Sequence, residues 1–383
     1  MKTFVLFIES HLKGDKIIWL VALLLGLISL LAVYSSTSAL AFRYQGGNTE
    51  YYFLKHFFLL LLSFLVMFIV HQFDYKFFSK ISFFLVFISI ILLVYTLLQG
   101  DQFEINEAQR WISFMGQSFQ ASDFAKFSLI VYLARVLTEK QDYIKDFNKS
   151  FLPVILIVSV ICGLIAPANL STAVLLFACS LILMFIAGIS LRYIMILLMI
   201  GFFGVLMLMF TVKRGETWRN RLRDYIERIS STDYVPNYQT EQANIAISTG
   251  GILGKGVGKS VQRNFLPHPY SDFIFAIIVE EYGLIGALII LGLYFALLFR
   301  SLAIITISKT FGALLAAGLS FLIVLQALVN IGVTVGILPV TGLPLPFISM
   351  GGTSLLFTGM SLGVILSVSK AAMIEKTNLN YAK

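Results

Sequence analysis

Four ionisable side chains lie within long apolar segments of this sequence, where a charge is costly. Asp123 and Lys126 are three residues apart in one segment, and Glu280 and Glu281 are adjacent in another. Residues at i and i+3 share one face of a helix, so the first two side chains can neutralise each other. Charges in such segments either mark a binding or catalytic site or form structural ion pairs. Both interpretations apply to Asp123 and Lys126.

A fifth ionisable residue, Asp272, stands at the start of the apolar segment that contains the two glutamates. It follows the stretch 266–271, which reads Leu-Pro-His-Pro-Tyr-Ser. Near a helix N-terminus a carboxylate can cap free amides. Alternatively, it can serve as a general base at a membrane surface. Neighbouring helix positions differ in direction by about 100°, so Glu280 and Glu281 cannot both face the same side as Asp272, and at least one is expected to have a structural partner on another helix.

The long polar segment before Asp272 is basic and rich in glycine. Residues 213–271 hold nine Lys or Arg against five Asp or Glu, and their Arg-rich opening predicts an amphipathic helix along a surface. Residues 250–259 read Gly-Gly-Ile-Leu-Gly-Lys-Gly-Val-Gly-Lys. Successive free amides of such a backbone can form an anion nest. The positive surplus therefore indicates either contact with lipid headgroups or an anionic substrate.

A second non-helical segment is predicted near the C-terminus. Residues 338–346 contain three prolines, which cannot continue a helix and favour an extended chain. Ser349, Gly351 and Gly352 follow directly. Glycines at a helix start allow the backbone to approach either a ligand or another helix closely.

These segments must be positioned by a membrane-embedded framework. Of the 383 residues, 58% are hydrophobic and 13% charged, whereas soluble proteins carry about 25% charged residues. The composition excludes a soluble enzyme, a disordered chain and a disulfide scaffold. A membrane-spanning helix needs about 20 apolar residues. An all-α polytopic protein is predicted, with about ten spans near 17–40, 52–71, 77–98, 122–138, 151–166, 170–188, 191–212, 272–298, 313–337 and 347–370.

The distribution of basic residues predicts the orientation of these helices. With the N-terminus in the cytoplasm, fifteen Lys or Arg fall on the inside and three in the short outer loops. Both termini are therefore expected to be cytoplasmic, with the loop at 213–271 outside. The predicted organisation is an interfacial N-terminus, seven spans, the large outer loop, three further spans and a cytoplasmic tail, at 1–16, 17–212, 213–271, 272–371 and 372–383.

Taken together, these motifs resemble the SEDS family (shape, elongation, division and sporulation) of glycan polymerases. The similarity extends from residue 17 along the whole chain, and Ser260 to Arg263 look more like the division member than the elongation member. Asn169, Met350 and the stretch His268 to Tyr270 depart from the usual family pattern. The motifs that carry the resemblance lie at 108–111, 118–126, 242–258, 266–283 and 330–352.

The resemblance implies a peptidoglycan glycosyltransferase that polymerises lipid II at the outer face of the membrane during cell division. In that reaction the 4-hydroxyl of the acceptor GlcNAc attacks the anomeric carbon of the donor MurNAc, and undecaprenyl diphosphate leaves. Asp272 matches the essential aspartate of the family and is expected to be the general base. The expected substrate-binding residues are Arg110, Gln120, Asp123, Lys126, Lys259, Arg263, His268, Glu280, Ser349, Gly351 and Gly352.

The leaving diphosphate needs charge stabilisation, either from Lys and Arg alone or from a divalent cation, Mg²⁺ or Mn²⁺. The resemblance also implies a class B penicillin-binding protein and other division proteins as partners, no nucleic acid, and a place in the bacterial cytoplasmic membrane at the septum. Two other functions are considered: a lipid II flippase, and a scaffold that recruits enzymes.

Overall fold

The computed structural model describes residues 12–44, 46–99, 111–114, 117–212, 214–230, 237–308 and 310–381. These residues form thirteen α-helices and one short β-hairpin. The helices, which we number in chain order, are α1 Lys16–Ser36, α2 Ser38–Tyr44, α3 Thr49–Gln72, α4 Lys76–Leu98, α5 Ala121–Glu139, α6 Leu152–Ile165, α7 Leu170–Ile186, α8 Leu191–Thr211, α9 Gly215–Ser230, α10 Tyr238–Gly250, α11 Ile274–Ile305, α12 Thr310–Thr334 and α13 Gly352–Tyr381. The hairpin pairs β1 Trp111–Phe114 with β2 Gln117–Gln120 in antiparallel fashion.

A helix lies at each of the ten positions where a span was predicted. Within the described part of the chain, eight helices are long and apolar enough to cross a membrane, with α6 counted together with the π-helical turn Phe147–Phe151 that precedes it, over 19 residues. The other two are α7, which has 17 residues, and α5, which carries Asp123 and Lys126. The protein is therefore an integral membrane protein of the all-α polytopic class. The ends differ from the prediction: α11 runs to Ile305, and α13 begins at Gly352 and continues to Tyr381, through the segment predicted to be a tail.

The centre of the bundle is formed by α12 and α13, the two most buried of the candidate spans. α12 contacts α5, α7 and α11, and α13 contacts both α3 and α5. Small residues permit this packing: a Cβ on Gly363 of α13 would lie 2.7 Å from the Met67 carbonyl oxygen of α3, and one on Gly318 of α12 would lie 2.5 Å from Ile130 of α5. Close approach through small residues is the usual means of helix association in a membrane.

The predicted outer loop at 213–271 is built largely of secondary structure. α9 confirms the predicted amphipathic helix, with Trp218 buried and Ile226 and Ile229 exposed. Its Arg221 guanidinium donates to the Val340 carbonyl at 3.1 Å, and its Tyr225 hydroxyl donates to the Ile337 carbonyl at 2.7 Å. α9 thus lies against the proline-containing segment, which is non-helical as predicted.

The glycine-rich segment packs against α11, where several of its backbone groups are already engaged and are not free to bind an anion. α11 breaks at Gly283, which has φ 68°. The amides of Lys255 and Gly256 donate to the Glu280 and Glu281 carbonyls, and those of Leu284 and Ile285 donate to the Gly251 and Ile252 carbonyls. These amides and carbonyls of the glycine-rich segment therefore pair with the backbone amides and carbonyls that the break in α11 leaves without helical partners. We call residues 250–256 the glycine clamp.

Candidate functional site

A cavity of about 440 Å³ lies at one end of the helix bundle, where five helices begin. Its wall is formed by residues at the starts of α3, α5, α7 and α13, by the turn that leads into α11, and by residues 342–344 of the proline-containing segment. These segments are far apart in the sequence. Asp123, Lys126 and Asp272 all lie on the wall, so the structure brings together three of the residues predicted to do chemistry.

Asp272 belongs to the turn before α11 and does not cap the helix. Phe273 occupies the N-cap position, and α11 begins at Ile274. Within the described chain, the side-chain donor to the Asp272 carboxylate is the Ser271 hydroxyl, at 2.9 Å. A Cβ on Gly342 would lie 3.4 Å from one carboxylate oxygen, so glycine keeps that side of the acid open. The N-cap interpretation is therefore wrong, and the carboxylate faces the cavity.

The main chain around Asp272 is held by buried polar side chains. Asn330 of α12 donates to the carbonyls of Asp272 at 2.9 Å and Leu343 at 2.7 Å. The Ser349 hydroxyl donates to the Ser271 carbonyl at 2.6 Å and accepts from the Leu345 amide at 2.8 Å. Ser349 was predicted to bind substrate, but it is buried behind the wall and fixes the backbone there.

Asp123 and Lys126 form a buried ion pair on α5, with 3.0 Å between the Lys126 Nζ and a carboxylate oxygen. Lys126 also donates to the Gln326 side-chain oxygen at 2.9 Å, and Asp123 accepts from the Thr353 hydroxyl at 2.9 Å. The pair is thus satisfied by α12 and α13 as well as by itself. It lies on the cavity wall and in the packing between helices, so both interpretations of the sequence describe part of its environment.

Three other predicted residues also line the cavity: Gln120, His268 and Gly351. The side-chain amide nitrogen of Gln120 donates to the Ser122 hydroxyl at 2.9 Å. The His268 Nδ1 is 3.2 Å from the Tyr270 hydroxyl, and the residue has φ 54°. Gly352 begins α13 beside the cavity but does not line it. Arg110 lies outside the described residues.

The structure places Glu280, Lys259 and Arg263 away from the cavity wall. Glu280 is buried, pairs with Lys255 at 2.6 Å, and accepts from the Ser260 hydroxyl and two amides of the following turn. Arg263 donates to the carbonyl and hydroxyl oxygens of Ser35 on α1, and the Lys259 side chain is exposed. The contacts of Glu280 and Arg263 join α11 and α1 to the turn after residue 259, and substrate binding by these three residues stays a prediction.

Glu281 confirms the expectation of a structural partner on another helix. Its carboxylate accepts from the Ser35 hydroxyl of α1 and from the Ser260 amide. Both glutamates therefore connect α11 to the turn after the glycine clamp, and Glu281 connects it also to α1.

Sequence reasoning missed several residues of the wall. They are Lys55 and Tyr52 of α3, Trp111 of the hairpin, and Asn169 and Thr172 of α7. Asn169 was noted only as a departure from the family pattern; its side chain caps α7 by accepting from the Thr172 amide at 3.3 Å. Lys55 was counted only as one of the three basic residues of the short outer loops, because a lysine at the start of a span is already explained by topology.

Arg221 of α9 extends the positive charge near Asp272 beyond the wall. Burial and the nearby Arg214 lower the pKa of the Arg221 guanidinium, and the Asp272 carboxylate raises it. The two charges are thus within electrostatic reach of each other.

The described residues contain no group of three or more His, Cys, Asp or Glu side chains that could hold a metal ion. The wall offers two carboxylates, and Asp123 is already paired with Lys126. A divalent ion would therefore have to take most of its oxygen ligands from a substrate and water, as Mg²⁺ does in many phosphate-binding sites.

The fold and site define a polytopic membrane protein with a polar, carboxylate-containing cavity at one end of its helix bundle. A family model described as cell cycle protein, covering FtsW, RodA and SpoVE, matches residues 15–374. The chain belongs to this family.

Relatives from several bacteria support the assignment. The chain is 33% identical to stage V sporulation protein E of Bacillus subtilis over 93% of this chain and 97% of that protein. It is 33% identical to a probable peptidoglycan glycosyltransferase FtsW of Coxiella burnetii over 94% of this chain and 98% of that protein.

Two solved structures share the fold. The rod shape determining protein RodA of Thermus thermophilus matches with a TM-score of 0.67 and 23% identity, over 93% of this chain and 96% of that one. A chain of a structure described as the coordination of polymerization and crosslinking by a peptidoglycan synthase complex matches with a TM-score of 0.66 and 24% identity, over 91% of this chain and 97% of that one.

Proposed function

We propose that the protein is a peptidoglycan glycosyltransferase, of the division type, that polymerises lipid II at the outer face of the membrane. The observation that carries the proposal is the Asp272 carboxylate, which faces a polar cavity and accepts one hydrogen bond from its neighbour Ser271. Membership of the family, and the name peptidoglycan glycosyltransferase borne by relatives, support the reaction class.

The proposed chemistry is a displacement at a sugar carbon. The acceptor GlcNAc hydroxyl forms a bond to the anomeric carbon of the donor MurNAc while the bond from that carbon to the diphosphate oxygen breaks. The hydroxyl proton passes to Asp272, and the electron pair of the broken bond leaves with undecaprenyl diphosphate. Proton acceptance by a positioned carboxylate accelerates such steps by about 10²–10⁴-fold.

We further propose that Asp272, together with the diphosphate of the substrate, would hold a divalent cation, Mg²⁺ or Mn²⁺. When bound, the ion would stabilise the negative charge of the leaving group. Because the described residues offer no other open carboxylate on the wall, the protein alone would hold the ion weakly. A chelator should then stop glycan synthesis and leave the melting temperature of the substrate-free protein unchanged.

The test is polymerisation of purified lipid II by the reconstituted protein, read as glycan strands on a gel. Asp272→Asn should fold, insert in the membrane and lose at least a hundredfold in rate. Asp142→Asn, the same chemical change at an exposed residue, is the matched control and should keep the wild-type rate. Polymerisation by Asp272→Asn at the wild-type rate would remove Asp272 from the mechanism.

Lipid II supplied on the outer side distinguishes the alternatives. A polymerase makes glycan from it, whereas a flippase moves lipid II across the vesicle membrane and makes none. A scaffold does neither, and would tolerate substitution of Asp272.

We infer partners and location from the same assignment. The proposed partners are a class B penicillin-binding protein, a single-span transpeptidase, and other division proteins. A structural neighbour comes from a complex described as coordinating polymerization with crosslinking, which supports the first of these. The proposed location is the bacterial cytoplasmic membrane at the septum, with both termini in the cytoplasm.

A further inference from the structure

The cavity contains a cation that the proposed chemistry does not yet use. Lys55 lies in the second turn of α3, and its exposed side chain lines the cavity. It makes no hydrogen bond or ion pair with any residue that the structure describes. A lysine ammonium carries three donors and one positive charge, so Lys55 can bind an incoming anion without losing an existing contact.

The other lysine of the wall is already neutralised. Lys126 is buried, pairs with Asp123 at 3.0 Å and donates to Gln326 at 2.9 Å. The charges of Asp123 and Lys126 cancel, and Asp272 adds a negative charge. Of the two lysines on the described wall, Lys55 is therefore the one that no ion pair engages.

Lys55 and Lys126 approach the cavity from different helices. α13 packs against both α3, which carries Lys55, and α5, which carries Lys126. On α3, Leu54 and Phe58 expose 48% and 62% of their surface beside Lys55. Since such apolar side chains face lipid in a membrane protein, Lys55 lies where the bilayer meets the cavity.

We propose that Lys55 binds the diphosphate of a lipid-linked saccharide in this cavity. The inference rests on the proposed function, in which two such substrates must be held at one time. An anion attached to a membrane-embedded tail would meet Lys55 at the lipid boundary, whereas Lys126 is reached only from inside the cavity and has its charge paired. Lys55 is a binding residue here, and Asp272 keeps the role of base.

The first test measures glycan synthesis as a function of lipid II concentration. Lys55→Ala should raise KM by about ten- to a hundredfold, the value of a hydrogen bond to a charged group, with a smaller change in kcat. Lys55→Glu should raise KM further, and Lys55→Arg should restore most of the affinity. Lys145→Ala, which removes an exposed lysine remote from the cavity, is the matched control and should behave as wild type.

The second test needs no turnover. Farnesyl diphosphate should raise the melting temperature of the detergent-solubilised wild-type protein, because a ligand that binds the folded state stabilises it. Lys55→Ala should lose this rise while keeping the melting temperature of the free protein. Inorganic pyrophosphate tests whether the anion binds without its tail, and farnesol tests the tail without the anion.

The outcomes separate this inference from the proposed function. Wild-type KM and wild-type stabilisation by farnesyl diphosphate in Lys55→Ala would overturn the role of Lys55, even if the wild type polymerises lipid II. Stabilisation by farnesol equal to that by the diphosphate would overturn it too. A wild-type protein that makes no glycan, yet shows Lys55-dependent stabilisation by farnesyl diphosphate, would instead overturn the proposed function. It would still support anion binding by Lys55.

Discussion

Two carboxylates share the cavity wall, and their surroundings differ. Asp123 is contacted by the Lys126 ammonium and the Thr353 hydroxyl, so its oxygens are engaged by the protein. Asp272 is contacted by the Ser271 hydroxyl next to it in the chain, and glycine at position 342 leaves space beside it. A carboxylate with an open oxygen can accept a proton from a substrate, whereas one held in an ion pair contributes fixed charge.

The Asp123–Lys126 pair leads to a prediction about the stability of the fold. Lys126→Met should lower stability by about 3–5 kcal/mol, because it leaves a buried carboxylate without its counter-charge. Asp123→Asn combined with Lys126→Met should recover most of that loss. The free energy of unfolding in mixed micelles, measured for both single variants and the double variant, gives the coupling energy of the pair.

Turnover per folded molecule of the double variant reports the functional part of the pair. Because both side chains lie on the cavity wall, we expect turnover to fall even where stability returns. Additive losses of stability, with no coupling between the two sites, would contradict the ion-pair description.

Residue types and spacing identified Asp272, Asp123 and Lys126, because a charge at or within an apolar segment is conspicuous. They could not separate Glu280 from these residues, since its partners Lys255 and Ser260 are brought to it only by the break in α11. Lys55 was missed for the opposite reason. A lysine at the start of a span is explained by topology alone, and its place on the wall follows from how α3 packs on α13.

At the scale of elements, the break in α11 and the glycine clamp form one unit. The amides and carbonyls freed at Gly283 pair with residues 251–256, and the two glutamates that precede the break hold the turn after the clamp. Unpaired backbone groups are costly within a membrane, so the helix can break only where another segment supplies partners.

Gly254 provides the test of this unit. It has φ +79°, and a Cβ there would overlap the backbone of Glu281 and Gly283. Gly258 is a matched control, with φ +74° and nothing within 4 Å of the added Cβ. Gly258→Ala should cost about 1–2 kcal/mol from backbone conformation alone, while Gly254→Ala should cost at least about 3 kcal/mol because overpacking is added. Thermal unfolding of the purified variants checks this, and equal melting temperatures would contradict the clamp.

The existence of the helices was predictable, and some of their ends were not. Hydropathy located a helix at each expected position, because about 20 apolar residues suffice to identify a span. The start of α13 was placed five residues too early, since Phe347 to Met350 are apolar or small yet form a turn in which Phe347 has φ 64°. The break at Gly283 gave no signal, because glycine is common inside membrane helices.

At the scale of the whole molecule, the orientation in the membrane can be tested directly. Cysteine placed at Val257, in the loop predicted to lie outside, should react with a membrane-impermeant thiol reagent in intact cells. Cysteine placed at Lys376, near the end of α13, should react only after the membrane is opened. Val257 exposes 58% of its surface, so a cysteine there is accessible to the reagent. The native Cys162 and Cys179 lie within α6 and α7.

Each single-cysteine variant needs a background in which both native cysteines are replaced by alanine. Labelling of Lys376→Cys in intact cells, at the rate seen for Val257→Cys, would overturn the orientation inferred from the basic residues. It would also place the cavity on the cytoplasmic side, away from the proposed site of glycan assembly.

The order in which the cavity wall appears along the chain has a consequence for biosynthesis. Lys55, Asp123 and Asp272 are made first, but the wall is completed by residues 342–354, and Asn330 and Ser349 fix the backbone around Asp272. A ribosome-bound chain that ends before these residues carries Lys55, Asp123 and Asp272 but lacks part of the cavity wall. We therefore expect the unfinished chain to be inert toward its substrate until the final helix docks.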